Sequence, residues 1–443
     1  MLKTFKLGGV HPPENKLSAG KKIEDLAIPK SVFIPVAQHI GAPSTPVVNK
    51  GDSVKVGQVI AKSSSFVSTN IHSSVSGKVK KVDFSADSSG YPKQGIFIDV
   101  EGDEWMEEID RSEALISNFE LDGKEIVQKI QDAGIVGLGG ATFPTHVKLV
   151  PPKGMKADVL LINGVECEPY LTSDHRLMLE KTDEILVGIQ LLMKAMDVDK
   201  AVIGIENNKP DAIQLLTEKS KNYKGINVTA LKVKYPQGGE KQLIKAVTGK
   251  EVPSGGLPIA VGAVVSNVGT AFAVYEAIQK NKPLFERVVT VTGKGVATPS
   301  NFKVRIGTAT SELIEAAGGL PENTGKIISG GPMMGRAIAS LDVPVTKGTS
   351  GILLMQQEES KRKEYSECIR CSRCVSVCPM GLEPYLLMTL GQKQIYDRAE
   401  TNRVMDCIEC GSCSYTCPSN RPLLDYIRFG KGKVGAIIRS RKK

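Results

Sequence analysis

No stretch of the chain approaches the ~20 consecutive apolar residues that a bilayer-spanning helix needs; the best candidates, such as residues 257–265, are far too short. The expectation is a soluble or peripheral protein, with any ion path lying in other chains. Cysteine is scarce over most of the length: of nine, only Cys167 precedes residue 368. No signal-peptide pattern opens the chain, so a secreted disulfide framework is not expected and the thiols point to a reducing compartment. Also missing are the GxGxxG dinucleotide fingerprint and any nucleic-acid-binding fold motif, and no nucleic-acid partner is expected. The net charge of +9 is modest and partly concentrated in Arg428, Lys431, Lys433, Arg439, Arg441, Lys442 and Lys443. Such a basic tail is either a solvated end or an attraction for anionic lipid, nucleic acid or acidic protein.

What is present is concentrated near the C-terminus. Cys368, Cys371, Cys374 and Cys378 precede Pro379, and Cys407, Cys410, Cys413 and Cys417 precede Pro418. Both runs read CxxCxxCxxxCP, the spacing in which three close thiolates hold one 4Fe-4S cluster and the fourth reaches across to another. The expected ligand sets are Cys368, Cys371, Cys374 and Cys417 on one cluster, and Cys407, Cys410, Cys413 and Cys378 on the other. Zinc sites usually pair two CxxC units and fit the doubled pattern less well. Residues 383–403 read as one helix with Leu386, Leu387 and Leu390 on a face, which favours an α-helical ferredoxin module.

At 443 residues the chain has room for several domains. Residues 8–16 are too rich in glycine and proline for regular structure and read as an extended arm. Short strands separated by turn signals follow from residue 31 to 82 and indicate a small β-sandwich or barrel. This part resembles a biotinyl or lipoyl carrier domain, a barrel-sandwich hybrid. Its hairpin over residues 64–70 has no attachment lysine, so the swinging-arm function is not expected. A helix over 121–133, capped by Asp122 and stopped by Gly134, leads into a glycine-rich stretch with Gly137, Gly139, Gly140 and Lys148. Such a loop either cradles a phosphate or flat ring, with the lysine on the phosphate, or is a tight turn with one surface lysine.

The apolar strand at 158–163 suits a buried parallel sheet, and open α/β sheets bind ligands at strand carboxyl ends. There stand Asn163, Glu166 and Glu168, either contacts for ribose, isoalloxazine or nicotinamide or simply caps and ion pairs. A helix over 181–196 and a strand over 200–206 continue the α/β alternation. A glycine turn with Tyr235, Gly238 and Glu240 opens another helix, and a strand with Asn267 and Thr270 at its end precedes a helix over 271–279. Two strands, a helix and a strand between 287 and 328 suggest a β-grasp domain. The loop 329–335 serves ligand contact or chain reversal, and its glycines and proline favour reversal.

The order of these motifs resembles the C subunit of the Rnf complex, a membrane-bound ion-translocating ferredoxin:NAD oxidoreductase, and the middle section is similar to the NADH-binding flavoprotein subunit of complex I. The resemblance implies a multidomain α/β and β chain. Its expected parts are an arm (1–30), a barrel-sandwich hybrid (31–100), an FMN/NADH-binding α/β domain (121–280), a β-grasp domain (285–340), a two-cluster ferredoxin domain (358–425) and a basic tail (426–443). By the same resemblance Gly137, Gly139, Gly140 and Lys148 match the FMN phosphate loop. Asn163, Glu166 and Glu168 match the flavin and nicotinamide motif, with the two acids in catalytic positions. Tyr235, Gly238 and Glu240, with Asn267 and Thr270, match two later nucleotide loops. Val165 and Gly239 stand where the complex I relative has acids, so the NADH pose is expected to differ.

The implied cofactors are FMN, NAD(H) and two 4Fe-4S clusters. A flavin is needed because NAD exchanges a two-electron hydride while each cluster carries one electron. The implied partners are other subunits of a membrane-bound Rnf-type complex, NAD(H), and ferredoxin directly or indirectly, with the chain at the cytoplasmic face of the cell membrane. The alternatives are a soluble cobalamin reductase with flavin, β-grasp and ferredoxin parts, and an electron-relay subunit without flavin.

Overall fold

The computed structural model describes residues 2–441; Lys442 and Lys443 of the expected tail lie outside the described residues. The N-terminal β part is two facing sheets. One has four strands in the order Ser31–Pro35, Pro92–Val100, Gly77–Ala86, Ser53–Val54, and the other pairs Thr45–Pro46, Val59–Lys62 and Ile71–His72. Val32, Ile34, Ile60, Ile71, Val79, Ile96 and Ile98 fill the space between, as β-branched side chains do on pleated surfaces. The lysine-free hairpin does not swing: the His146 imidazole is bonded to the Phe66 carbonyl at 3.1 Å and Asn70 donates to the Asp132 carbonyl at 3.2 Å, docking the tip on the next domain.

That domain is a parallel four-stranded sheet in the order Ile226–Leu231, Ala201–Glu206, Val159–Asn163, Ala263–Asn267. Helices cover both faces. The helix Gly123–Asp132 begins at the expected cap, where Asp122 and Glu125 form a reciprocal capping box, and ends before Gly134 at φ +69°. Helix Thr182–Met196 is mostly buried, and helix Val268–Gln279 crosses it so closely that a Cβ on Gly188 would lie 1.9 Å from the Ala271 carbonyl oxygen. The strand order reverses between Val159–Asn163 and Ala263–Asn267, so the carboxyl ends of these two strands flank the crevice of the sheet.

The β-grasp part is larger than the sequence suggested. Its six-stranded sheet runs Ile23–Asp25, Ser300–Arg305, Glu286–Thr292, Gly351–Gln356, Thr324–Ser329, Arg336–Ala337. Gly351–Gln356, beyond the expected end at 340, is an interior strand, and Ile23–Asp25 belongs to the supposed extended arm. An edge strand with exposed backbone gains from any short segment able to pair with it, and three residues suffice.

Two further expectations are corrected in the ferredoxin part. The helix expected over 383–403 is two, Pro384–Gln392 and Tyr396–Thr401, broken where Gln394 takes φ +57°. The supposed basic tail is the helix Leu423–Ser440, whose Leu423, Leu424, Ile427 and Val434 are buried in the ferredoxin core. It packs against Pro384–Gln392 at Gly391 and Gly430; a Cβ on Gly391 would meet the Tyr426 carbonyl oxygen at 2.3 Å. Several of its cations are paired: Arg428 and Lys431 with Glu409 at 3.1 and 3.0 Å, and Arg441, at its end, with Glu400 at 2.8 Å.

Candidate functional site

The glycine-rich loop stands over the crevice of the parallel sheet. Its ends are tied by the Gly137 amide on the Phe143 carbonyl at 3.0 Å, and Thr142 turns the chain at φ +54°. At Gly139 a Cβ would lie 2.5 Å from the Asn267 amide nitrogen, so glycine lets the loop rest on that side chain, while nothing lies within 4 Å of a Cβ on Gly140. Asn267 ends its strand and caps helix Val268–Gln279, its Oδ1 accepting from Gly269 and Thr270. Its Nδ2 donates to Asp174 at 2.7 Å and to the Asn163 carbonyl at 3.3 Å. The Leu138 amide donates to Thr270 Oγ1 at 2.9 Å. Gly139, Asn163, Asn267 and Thr270 therefore converge at one point, with Gly137 at the foot of the loop. Open space over Gly140, exposed loop backbone and a twelve-residue helix opening below make a cradle that fits a flat ring with an anionic tail.

Lys148 and Glu240 form an ion pair of 2.9 Å beside this crevice, both partly exposed, and Lys148 also donates to the Val265 carbonyl at 3.3 Å. Asn163 Nδ2 donates to the Gly238 carbonyl at 2.9 Å, holding the second glycine turn against the strand end. Tyr235 belongs to another contact. It is 2% exposed, and its hydroxyl donates to the Cys410 carbonyl at 2.9 Å, so it points at the cysteine-rich part.

The two acids after Asn163 diverge. Glu166, at φ +46°, turns its carboxylate onto the Asp174 and His175 amides at 2.8 and 3.2 Å and caps the helix Ser173–Glu180. Glu168 accepts from the Met333 and Met334 amides at 2.6 and 3.0 Å, and burial raises its pKa above the usual carboxylate range against the pull of those amides. The loop 329–335 thus reverses the chain and also holds an acid of the site. A Cβ on Gly331 would stand 2.1 Å from Glu168 Cγ.

Four polar residues that sequence reasoning missed or left unassigned complete the arrangement. Lys16 of the arm donates to the carbonyls of Glu166, Glu168 and Leu171 at 2.7–2.9 Å, which fixes the loop between them. Asp174 is raised to about 7 by burial and by Glu166. Burial likewise lifts Glu206 to about 7, and it pushes Lys209 down while the ammonium donates to the Val165 carbonyl at 2.8 Å. A Ser-Asp pair opening a helix was the one available signal for Asp174.

The cysteines fall into two sets. Cys378, Cys407, Cys410 and Cys413 line one small cavity with Leu382, Leu387, Leu424 and Ile427. Burial pushes the Cys407 and Cys413 thiols up to about 11 and 12, with neighbouring thiols of the same set adding to the rise. Cys374 has Cys417 and Cys368 as the thiols that bear on it. The two sets differ in depth: Cys378, Cys410 and Cys413 are buried, whereas Cys368 and Cys371 are exposed. Four thiols around an apolar cavity fit a cluster that takes one thiolate at each iron. Backbone amides of Leu382 and Glu409 already point at the Cys378 and Cys407 sulfurs at 3.4 Å.

The buried set faces the crevice. Gly9 donates to the Val377 carbonyl and Val10 pairs with Tyr235, both at 2.9 Å, so the arm runs between the two parts. A Cβ on Gly8 would lie 2.5 Å from the Cys378 carbonyl carbon. Gln242 donates to the Pro379 carbonyl at 3.2 Å, and Gly411 lies against Met333.

Comparison with known families matches four stretches of the chain. Residues 3–103 match the RnfC barrel sandwich hybrid domain, 130–276 the Nuo51 FMN-binding domain, 288–337 the SLBB domain and 360–418 the 4Fe-4S dicluster domain. The mixed fold class and the cofactor set of FMN and two 4Fe-4S clusters read from the sequence are those of these domains. The chain is 51% identical over 443 residues to the C subunit of the proton-translocating ferredoxin:NAD(+) oxidoreductase complex of Clostridium ljungdahlii, covering 98% of this chain and 94% of that relative. It is 46% identical over 448 residues to the C subunit of the Na(+)-translocating ferredoxin:NAD(+) oxidoreductase complex of Acetobacterium woodii, covering 99% and 98%. To the C subunit of the ion-translocating oxidoreductase complex of Rhodobacter capsulatus it is 41% identical over 440 residues, covering 98% and 84%.

Proposed function

Because the chain belongs to the family of C subunits of ion-translocating ferredoxin:NAD(+) oxidoreductase complexes, we propose that it is the peripheral subunit at which such a complex exchanges electrons with NAD(H). When bound, FMN supplies the exchange between a two-electron hydride and single electrons, and the 4Fe-4S clusters supply one-electron carriage. The chain's own residues supply position. Gly137, Gly139 and Gly140 offer backbone to the flavin phosphate, with Asn267 and Thr270 fixing the loop and Lys148 released from Glu240 to meet the anion. Asn163 and Gly238 close one side of the crevice, and Glu166 and Glu168 shape the side toward nicotinamide.

The observation that carries this reading is the direct join between crevice and buried cysteines. Tyr235, Gln242 and the arm residues Gly8 and Gly9 all touch the 377–379 or 410 backbone. The set Cys378, Cys407, Cys410 and Cys413, next to the crevice, would hold the cluster that takes single electrons from it, and the set Cys368, Cys371, Cys374 and Cys417, of which Cys368 and Cys371 are exposed, would hold the one that serves a redox partner, either ferredoxin or another subunit.

No helix of the described residues is long and apolar enough to cross a membrane. We place the chain on the cytoplasmic face, held by integral subunits that contain the ion path. Anaerobic purification followed by flavin and iron analysis and NADH-dependent dye reduction tests the assignment. FMN with two clusters' worth of iron and a flavin-dependent rate support it; full iron without flavin returns the relay alternative.

A further inference from the structure

Behind the glycine loop lies a small cavity between the parallel-sheet domain and the six-stranded sheet. Leu138 and Asp174 form its inner end, beneath the loop that rests on Asn267. Glu276, Glu286, Arg287 and Lys303 are its other polar lining residues. Lys303 reaches solvent at the outer end, where it pairs with the exposed Asp25 at 2.6 Å. Between the ends, Lys282 bridges Glu276 and Glu286 at 2.5 and 2.6 Å, and Arg305 reaches Glu286 at 3.4 Å. Small as it is, the space has room for about two or three water molecules, and carboxylates and cations on its walls give them partners that an apolar void lacks.

The proposed reaction needs such a route. Oxidation of NADH by one-electron carriers balances as NADH giving NAD(+), two electrons and one proton. The electrons depart through the cysteine-bound clusters, and the proton has no place on them. We propose that the cavity is the proton route of the flavin site, with Asp174 as the proton-exchanging residue at its inner end and Glu276 further along its wall. In NAD(+) reduction the same route delivers the proton. This inference rests on the flavin reading above.

Asp174 suits the task by its surroundings. It faces Glu166 from the strand-end loop, Arg287 from the six-stranded sheet, Lys209 from the start of the helix Pro210–Lys219, and Asn267 from the adjoining strand end. On its own helix His175 is turned away onto Asp211 at 2.8 Å. Burial and Glu166 favour the neutral acid, while Asn267, Arg287 and Lys209 favour the carboxylate, leaving the group able to take and lose a proton near neutrality.

The test compares wild-type protein with Asp174→Asn and Glu276→Gln, each loaded with FMN. With ferricyanide as acceptor, which takes electrons and no proton, both variants should lower kcat about tenfold, keep KM for NADH within twofold, and lose the pH dependence of kcat near 7. Infrared spectra of the flavin-free protein give a second readout. A protonated-carboxyl band present at pH 6 and lost at pH 8 should be missing in Asp174→Asn. Variants that retain FMN with wild-type kcat and pH profile would overturn the proton route, and so would an infrared band that survives in Asp174→Asn. Wild-type protein that binds no FMN contradicts the flavin reading instead, and the infrared comparison still decides whether Asp174 exchanges a proton.

Discussion

The Tyr235 hydroxyl donates a 2.9 Å hydrogen bond to the Cys410 carbonyl, joining a loop at the edge of the parallel sheet to the backbone that carries a cluster ligand. Tyr235→Phe leaves that carbonyl without its donor in a buried setting. We expect a loss of about 1–3 kcal/mol in the docking of the two parts. Limited proteolysis should cut near residue 360 faster in the variant, with flavin and iron contents unchanged. Equal cleavage rates would show that this bond does not hold the parts together.

The two cysteine sets make separable predictions. Cys378→Ala should remove half of the iron and the cluster nearer the crevice, and Cys417→Ala the other half and the exposed cluster. Cys167→Ala should lose none: Cys167 packs near Tyr235 and Cys410, but its sulfur takes the Gly238 amide at 3.3 Å and does not line the cysteine cavity. Electron paramagnetic resonance of reduced samples with iron analysis checks all three. Iron loss in Cys167→Ala would contradict the assignment.

Lys148→Ala should weaken FMN retention, since a charge-assisted phosphate contact is worth about 1.5–3 kcal/mol. Fluorescence titration of flavin-free protein with FMN measures it, with a dissociation constant at least tenfold higher expected. A change below twofold would leave Lys148 as only the partner of Glu240.

Lys347 is 1% exposed and donates to the carbonyls of Asn70 and Gly134 at 2.9 and 2.7 Å, tying the β part and the parallel-sheet domain to the strand region after residue 340. Lys347→Met leaves both carbonyls without this donor, at a cost of about 2–5 kcal/mol. The denaturant midpoint should fall accordingly, and an unchanged midpoint would remove Lys347 from this role.

Asp174 and Glu206 each hold a proton up to about 7 in the folded chain. Ordinary carboxyls in the unfolded chain release theirs near pH 4. Between those values the folded state binds more protons, so each group lowers stability as pH rises, by up to about 1.4 kcal/mol per pH unit, and the effect levels off above 7. Glu206→Gln should flatten this slope in denaturant midpoints measured from pH 5 to 8. An unaltered slope would place the proton uptake elsewhere.

Much of this molecule is legible in its sequence because its signals are local. The cysteine spacing, the Asp122 cap with Gly134 beyond, and the apolar strand ending at Asn163 each depend on a few adjacent residues. What escaped depends on distant partners. Ile23–Asp25 is a strand because Ser300–Arg305 offers an edge, and Lys433 looked like part of a tail because the apolar face beside it meets Gly391 only in the fold. Tyr235, Glu166 and Glu168 sat in motifs whose order was readable, but the direction of each side chain was set by Cys410, Asp174 and Met333, all remote or across a turn. The charged cavity was hidden for the same reason: its lining residues come from five separate segments.

The central claim is that crevice and clusters form one electron path to NAD. Purified protein carrying FMN and both clusters should be reduced anaerobically with a limiting amount of a low-potential one-electron donor, then mixed with NAD(+). The account predicts NADH appearing at 340 nm as the reduced-cluster resonance decays, with the yield lost in Cys378→Ala. Protein with full FMN and iron that reduces no NAD(+) under these conditions, or a Cys378→Ala variant with undiminished yield, would contradict it.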